Sequence, residues 1–465
     1  MIHISTSFAL LVVAIIILVC IAGSRLSGRL GVPTLFIFIM LGMLFGSDGI
    51  FKIPFGNFAL AEQVCSVALI FIMFYGGFGT RWSEAKPVAG RSILLSSAGV
   101  VLTALLTGLF CHLVLKMALM EGMLLGAVLG STDAASVFSI LRSRKLNLKY
   151  GTASMLELES GSNDPFAYMM TVILLSAMTG SVSGGSTVLL LIRQLAFGLL
   201  TGAVIAWLVT WLLKRYAFYG EGFDTIFVFA AAIISYALAS QIGGNGYLSV
   251  YLTGIILGNQ ELKNQKALVG FFDAFTGMMQ MLLFFLLGLL AFPSQMPSIV
   301  LPAIAIALFL TFVARPAAVG LLLAPSKPPI GQYLVISWAG LRGAASIVFA
   351  IMATLSEGYM KHDIFHIVFC VVLFSIIFQG SLLPKVAEKC DMIDNSSDVM
   401  RTFSDYTGDM QIQFVQLPIG DNHPWKNRKI CEIEMLPGML ITVIRRGAQT
   451  IVPKGQTVIL EGDTV

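Results

Sequence analysis

Charge is the first thing this 465-residue sequence is short of. Asp, Glu, Lys and Arg make up 12% of it, about half the share of a soluble domain. With 57% hydrophobic residues and a mean hydropathy of +0.87, a soluble enzyme and a disordered chain are both excluded. The net charge of +4 is too small to point to nucleic acid. The six cysteines (Cys20, Cys65, Cys111, Cys370, Cys390 and Cys431) have no Cys-x-x-Cys spacing, so no disulfide framework is expected. There is no Gly-x-x-x-x-Gly-Lys-Ser/Thr loop for an ATP-driven pump. There is no Thr-Val-Gly-Tyr-Gly filter for a potassium channel, and no nucleophile–base set for an embedded hydrolase. His362 and His366 have metal-like i, i+4 spacing but no third ligand, so no metal site is expected.

What the sequence has instead is long apolar runs. A spanning helix needs about 20 apolar residues. Thirteen segments qualify or nearly so: 7–24, 33–47, 59–80, 88–114, 120–140, 152–178, 187–213, 223–241, 247–259, 267–291, 298–322, 330–355 and 363–384. Arg25 and Arg29 follow the first run instead of preceding it, which marks a retained helix with its N-terminus outside rather than a cleaved signal. Odd-numbered loops carry 14 Lys and Arg, while even-numbered loops carry only Lys52, Lys116 and Lys361. By the positive-inside rule, the odd loops and the chain's end face the cytoplasm.

Residues 388–465 hold 19 of the 54 charged residues, about 24% and a soluble value. The expected organisation is a membrane domain over 1–387, a linker over 388–409 and a small α/β cytoplasmic domain over 410–465. In that last domain, 411–417, 440–445 and 457–460 read as strands and 425–432 as a short helix.

Thirteen spans divide into six, a linker helix and six, which gives an inverted repeat. Asp133-Ala-Ala-Ser-Val-Phe138 in segment five and Gly343-Ala-Ala-Ser-Ile-Val-Phe349 in segment twelve are a trace of it. Both lie beside glycines and a charge, the mark of broken helices at a transport site.

Asp133, Glu157, Glu159, Asp164 and Arg342 fall deep within spans. Each costs about 3 kcal/mol at a helix centre, on the order of 15 kcal/mol together. A chain that only had to span would avoid them, and an ion pathway is the expected use. On a helix, Glu157, Ser160 and Asp164 form one stripe, and Ser160 and Asp164 offer a hydroxyl and a carboxylate to one hard cation. Asn163 is placed to brace unwound backbone, and Thr132 to add an oxygen. Low dielectric disfavours the charged form of a lone carboxylate, so a proton and an alkali cation compete for it. That competition is sufficient for electroneutral exchange. Arg342 needs a partner at depth, with Glu159 or Glu157 the obvious choice. Arg315 and Arg193 read as structural or snorkelling residues, and Asp273 and Glu62 as solvated groups near span ends. The rival reading from another class is a cation channel gated by the tail.

Thr132-Asp133, Glu159-Ser160-x-x-Asn163-Asp164, Leu341-Arg-Gly-Ala-Ala345, Gly246-Tyr-Leu-Ser-Val-Tyr-Leu-Thr-Gly254 and Phe284-Phe-Leu-Leu-Gly288 together resemble the monovalent cation:proton antiporter-1 family, in its NhaP-type branch. The resemblance implies a K⁺(Na⁺)/H⁺ antiporter in the bacterial inner membrane, with 13 helices, a homodimer and elevator-like alternating access. It implies cation and proton binding by Asp164, Asp133, Thr132, Ser160 and Asn163, and a structural Glu159–Arg342 pair. K⁺ is favoured, with a Na⁺ or Li⁺ antiporter of the same fold as the alternative, and no cofactor is implied in the membrane. The sequence departs from the family at Tyr75, where a glutamate is common, at Ala134 and at Leu158. The tail resembles the TrkA-C lobe of regulators of potassium conductance, which implies potassium-linked regulation and a possible nucleotide ligand.

Overall fold

The computed structural model describes residues 6–30, 33–144, 146–180, 184–215, 222–262, 264–356, 358, 360–394, 417–421, 423–433, 440–447 and 449–465. Helices occupy each expected span. They are α1 (Thr6–Leu30), α2 (Thr34–Phe45), α3 (Phe58–Gly79), a single turn α4 (Trp82–Ala85), α5 (Ala89–Leu113), α6 (Leu119–Val128) and α7 (Ala134–Ser143). Next come α8 (Thr152–Met178), α9 (Gly184–Arg215), α10 (Phe223–Gln241), α11 (Gly246–Gly258), α12 (Gln265–Leu290) and α13 (Met296–Phe309). The last are α14 (Arg315–Leu323), α15 (Ile330–Trp338), α16 (Ala344–Leu355), α17 (Ile364–Phe374) and α18 (Ser381–Lys389). Among the described residues, seven helical stretches are long and apolar enough to cross a membrane, and shorter apolar helices lie between them.

Segments five and twelve are each broken in the middle. Helix α6 stops at Val128 and α7 starts at Ala134, while α15 stops at Trp338 and α16 starts at Ala344. Glycines sit in or next to both breaks (Gly130, Gly340 and Gly343), where they lower the cost of leaving the helix. The two unwound stretches meet: the Asp133 N–H donates to the Leu341 carbonyl at 2.8 Å. Segments eleven and thirteen contain a wider π-helical turn, Leu310–Ala314 and Ser375–Gly380. Such a turn rotates the side chains beyond it relative to those before it.

Close packing of α3 against α11 depends on small residues. A Cβ at Gly258 or Gly254 would collide with the carbonyl of Phe78 or Phe74. This is the small-xxx-small solution for helices that gain nothing from burying apolar surface against one another in lipid. Phe71, Phe74, Phe78 and Phe272 are fully buried beside this contact, with the rings of Phe74 and Phe272 4.9 Å apart.

The chain divides into two compact units, Met1–Thr407 and Gly408–Val465. The second holds a three-stranded antiparallel sheet, β1 (Ile444–Arg446), β2 (Gln449–Ile451) and β3 (Asp463–Thr464), in the order β2-β1-β3. Its small core is Ile419, Ile433, Ile444 and Ile459. Asp463 is buried beneath Arg446, which donates to both carboxylate oxygens at 2.8 Å and holds the carboxyl below the usual carboxylate range. The expected helix over 425–432 is a run of turns ending in a 3₁₀ turn, Ile430–Glu432. The left-handed Asn427 (φ 62°) interrupts a regular helix there. The expected strand at 457–460 is reduced to one bridge, Lys429 with Val458. The strand expected at 411–417 lies almost wholly outside the described residues.

Replacing Gly254 with Val should push α3 off α11 and destabilise the protein by about 1–3 kcal/mol, the usual cost of overpacking. A lower melting temperature of the purified full-length chain in detergent is the expected outcome.

Candidate functional site

A cavity of about 440 Å³ opens between α3, α7, α8, α12 and the two helix breaks. It is lined by four carboxylates, Asp133, Glu157, Asp164 and Asp273, together with Tyr75, Ser131, Thr132 and Ser160. Among the described residues, no Lys, Arg or His lines it. The stripe expected on segment six, Glu157, Ser160 and Asp164, therefore faces one space.

Asp164 sits at the inner end of this space, 6% exposed. The Ser131 hydroxyl donates to its Oδ1. The neighbouring backbone is held by α8. Ser160 Oγ donates to the Thr132 carbonyl at 2.6 Å, and Asn163 Nδ2 donates to Thr132 Oγ1 at 2.5 Å. Asn163 Oδ1 accepts from the Thr132 N–H at 3.3 Å. Asn163 thus clamps the break from behind without lining the cavity, while Ser160 and Thr132 do both. Asp133 turns its carboxylate onto the first turn of α7, where Ser136 donates from N–H (3.2 Å) and hydroxyl (2.5 Å). It caps that half-helix and still borders the cavity.

The buried ion pair differs from the one expected. Glu159 is held by Arg315, not Arg342: Nη1 reaches Oε1 at 2.5 Å and Nη2 reaches Oε2 at 2.9 Å, with both side chains buried. Arg315 is thus a buried structural partner and does not snorkel. The π-helical turn just before it aims it inward, and Gly340 leaves room for its stem. Arg342 lies in the unwound stretch of segment twelve, and its Nη1 donates to the Ser131 carbonyl at 3.0 Å. Its own N–H donates to Ser375 Oγ at 3.0 Å. A carbonyl freed by one broken helix is therefore satisfied by a cation from the other.

Two residues that line the cavity were not expected to do so from the sequence. Ser131 precedes the Thr132-Asp133 pair and was legible only as its neighbour. Asp273 was expected to be merely solvated, and it accepts from Tyr75 Oη at 3.0 Å on the cavity wall. His362 and His366 have partners of their own. Buried Glu121 accepts from the His362 N–H (2.8 Å), with His362 Nδ1 at 3.0 Å, and Asp363 lies 2.6 Å from His366 Nδ1. Among the described residues, no group of His, Cys, Asp and Glu could hold a metal.

The Arg315→Met variant should cost about 3–5 kcal/mol by stranding Glu159 as a bare buried charge. The double variant Glu159→Leu/Arg315→Met should recover part of that loss, which melting curves of the purified variants would register.

The arrangement is a buried carboxylate bordering an acidic cavity between two broken helices. The model of the family "Sodium/hydrogen exchanger, transmembrane" matches residues 14–389. The K(+)/H(+) antiporter NhaP of Alkalimonas amylolytica is 37% identical over 382 residues, covering 82% of this chain and 66% of that protein. The chain thus spans just under two thirds of the length of that relative. The K(+)/H(+) antiporter NhaP2 of Shewanella sp. (strain MR-4) is 33% identical over 460 residues, covering 97% of this chain and 79% of the relative. Among solved structures, the sodium proton antiporter MjNhaP1 from Methanocaldococcus jannaschii at pH 8 shares the fold. Its TM-score is 0.73 at 23% identity, over 83% of this chain and 99% of that one. On the match across its helical region, the chain belongs to the family of transmembrane sodium/hydrogen exchangers.

Proposed function

We propose that this exchanger swaps one K⁺ for one H⁺ per cycle, without net charge movement, across a bacterial inner membrane. Asp164 carries either ion. The observation that supports this most directly is a buried carboxylate facing an acidic cavity with no basic side chain on its walls among the described residues. A bare charge there is costly to bury. A proton or an alkali cation removes that cost equally well, and one excludes the other. The site then crosses loaded and is poorly able to cross empty, which couples the two fluxes. One such carboxylate gives one cation per proton. Ser160 and the broken backbone at Thr132 supply further oxygens for K⁺.

The cavity is bordered by the end of α3, the start of α8 and the first half of α12, all next to basic loops. By the positive-inside rule this is the cytoplasmic side, so the proposal takes the conformation as inward-open and places the 410–465 unit in the cytoplasm as a regulatory domain. The resemblance adds a homodimer and elevator-like motion of a six-helix core. K⁺ is favoured over Na⁺ because the two relatives above carry K(+)/H(+) antiporter in their names.

The test is dequenching of a pH-sensitive dye in everted vesicles as K⁺, Na⁺ and Li⁺ are added. Exchange driven by K⁺ at lower concentration than Na⁺ is expected, and Asp164→Asn should reduce it to background. Exchange that persists in that variant, or robust current during turnover in liposomes, would overturn the proposal.

A further inference from the structure

The proposed exchange does not use one wall of the cavity. That wall is α12, which contributes Asp273, Thr276, Gly277 and Gln280, spaced i, i+3, i+4 and i+7. Asp273, Thr276 and Gln280 form a single polar stripe on a helix whose remaining residues after Lys266 are apolar. Tyr75 on α3 donates its hydroxyl to Asp273 Oδ1 at 3.0 Å, which orients the carboxylate. Thr276 lines the same cavity at 5% exposure, and its hydroxyl oxygen has no hydrogen-bond partner among the described residues. A buried hydroxyl left without a partner is costly, and this one belongs to a residue that borders a space large enough for ions and water.

We infer that Asp273, oriented by Tyr75, and Thr276 form a second station for the alkali cation, on the α12 side of the cavity that leads to Asp164. A carboxylate and a hydroxyl are oxygen donors suited to a hard monovalent cation. Gln280, further along the stripe, adds an amide oxygen. The station raises the cation concentration beside Asp164, as an acidic cleft does for its counter-ion. It also returns to this cavity the negative charge that Tyr75 does not provide on α3. The inference rests on the exchange proposed above.

The experiment uses the full-length chain in everted vesicles with K⁺ titrated against the dye signal. Asp273→Asn is expected to raise the apparent KM for K⁺ about tenfold, well beyond any fall in maximal rate, the signature of lost cation binding. Thr276→Val and Tyr75→Phe should each raise KM by a smaller factor, and Asp273→Glu should keep it near the starting value. A merely structural role would lower the melting temperature and the maximal rate and leave KM in place. That result, or a KM unchanged in Asp273→Asn, overturns the station while leaving exchange through Asp164 standing. If Asp273→Asn does not fold, the KM values of Thr276→Val and Tyr75→Phe decide the matter in the same way. Absence of cation-driven exchange in the unmodified chain would overturn the exchange itself and the station with it.

Discussion

Backbone that leaves a helix inside an apolar body must find hydrogen bonds elsewhere, because each orphaned N–H or C=O there costs several kcal/mol or so. This constraint organises the protein. The two breaks, between α6 and α7 and between α15 and α16, lie against each other and satisfy one another through the Asp133 N–H and the Leu341 carbonyl. Other groups are claimed by side chains: Ser160 and Asn163 on Thr132, Arg342 on the Ser131 carbonyl, and Ser375 on the Arg342 N–H. The residues that hold the breaks open are therefore the residues that surround Asp164.

The same constraint sorts the buried charges. Arg315 closes on Glu159 with two hydrogen bonds, and Arg342 spends its charge on a carbonyl. Asp133 caps a half-helix. Asp164 is the buried acid on the cavity wall, with a serine hydroxyl as donor and, among the described residues, no basic side chain lining the same space. An ion from outside would complete the charge balance, which is the physical basis for the cation proposed to bind at this point.

Much of this was legible beforehand, for reasons that differ from residue to residue. The helices announced themselves because a span of about 20 apolar residues has few other uses. The breaks showed as glycines beside Asp133 and Arg342 within apolar runs, and Glu157, Ser160 and Asp164 stood out because charge is rare there. Which arginine meets Glu159 was not legible. Arg315 is 156 residues away in the chain, and a π-helical turn sets its direction. Composition treats Arg315 and Arg342 alike, and only packing separates them. In the tail, the helix expected over 425–432 is interrupted by the left-handed Asn427, and the strand expected at 457–460 keeps a single bridge, Lys429 with Val458.

The amino-acid order alone therefore settled what depends on local hydropathy and period: a many-helix membrane body, its two interrupted helices, and the acids that could serve an ion. It also marked off the more polar stretch after residue 387. The tertiary structure decided everything that depends on distant segments meeting. It chose Arg315 for Glu159, laid Arg342 on the Ser131 carbonyl, and turned Asp273 and Thr276 toward the cavity of Asp164. Hydropathy is a property of neighbours in the chain, whereas ion pairing and cavity lining are properties of neighbours in space, and helix packing alone converts one into the other.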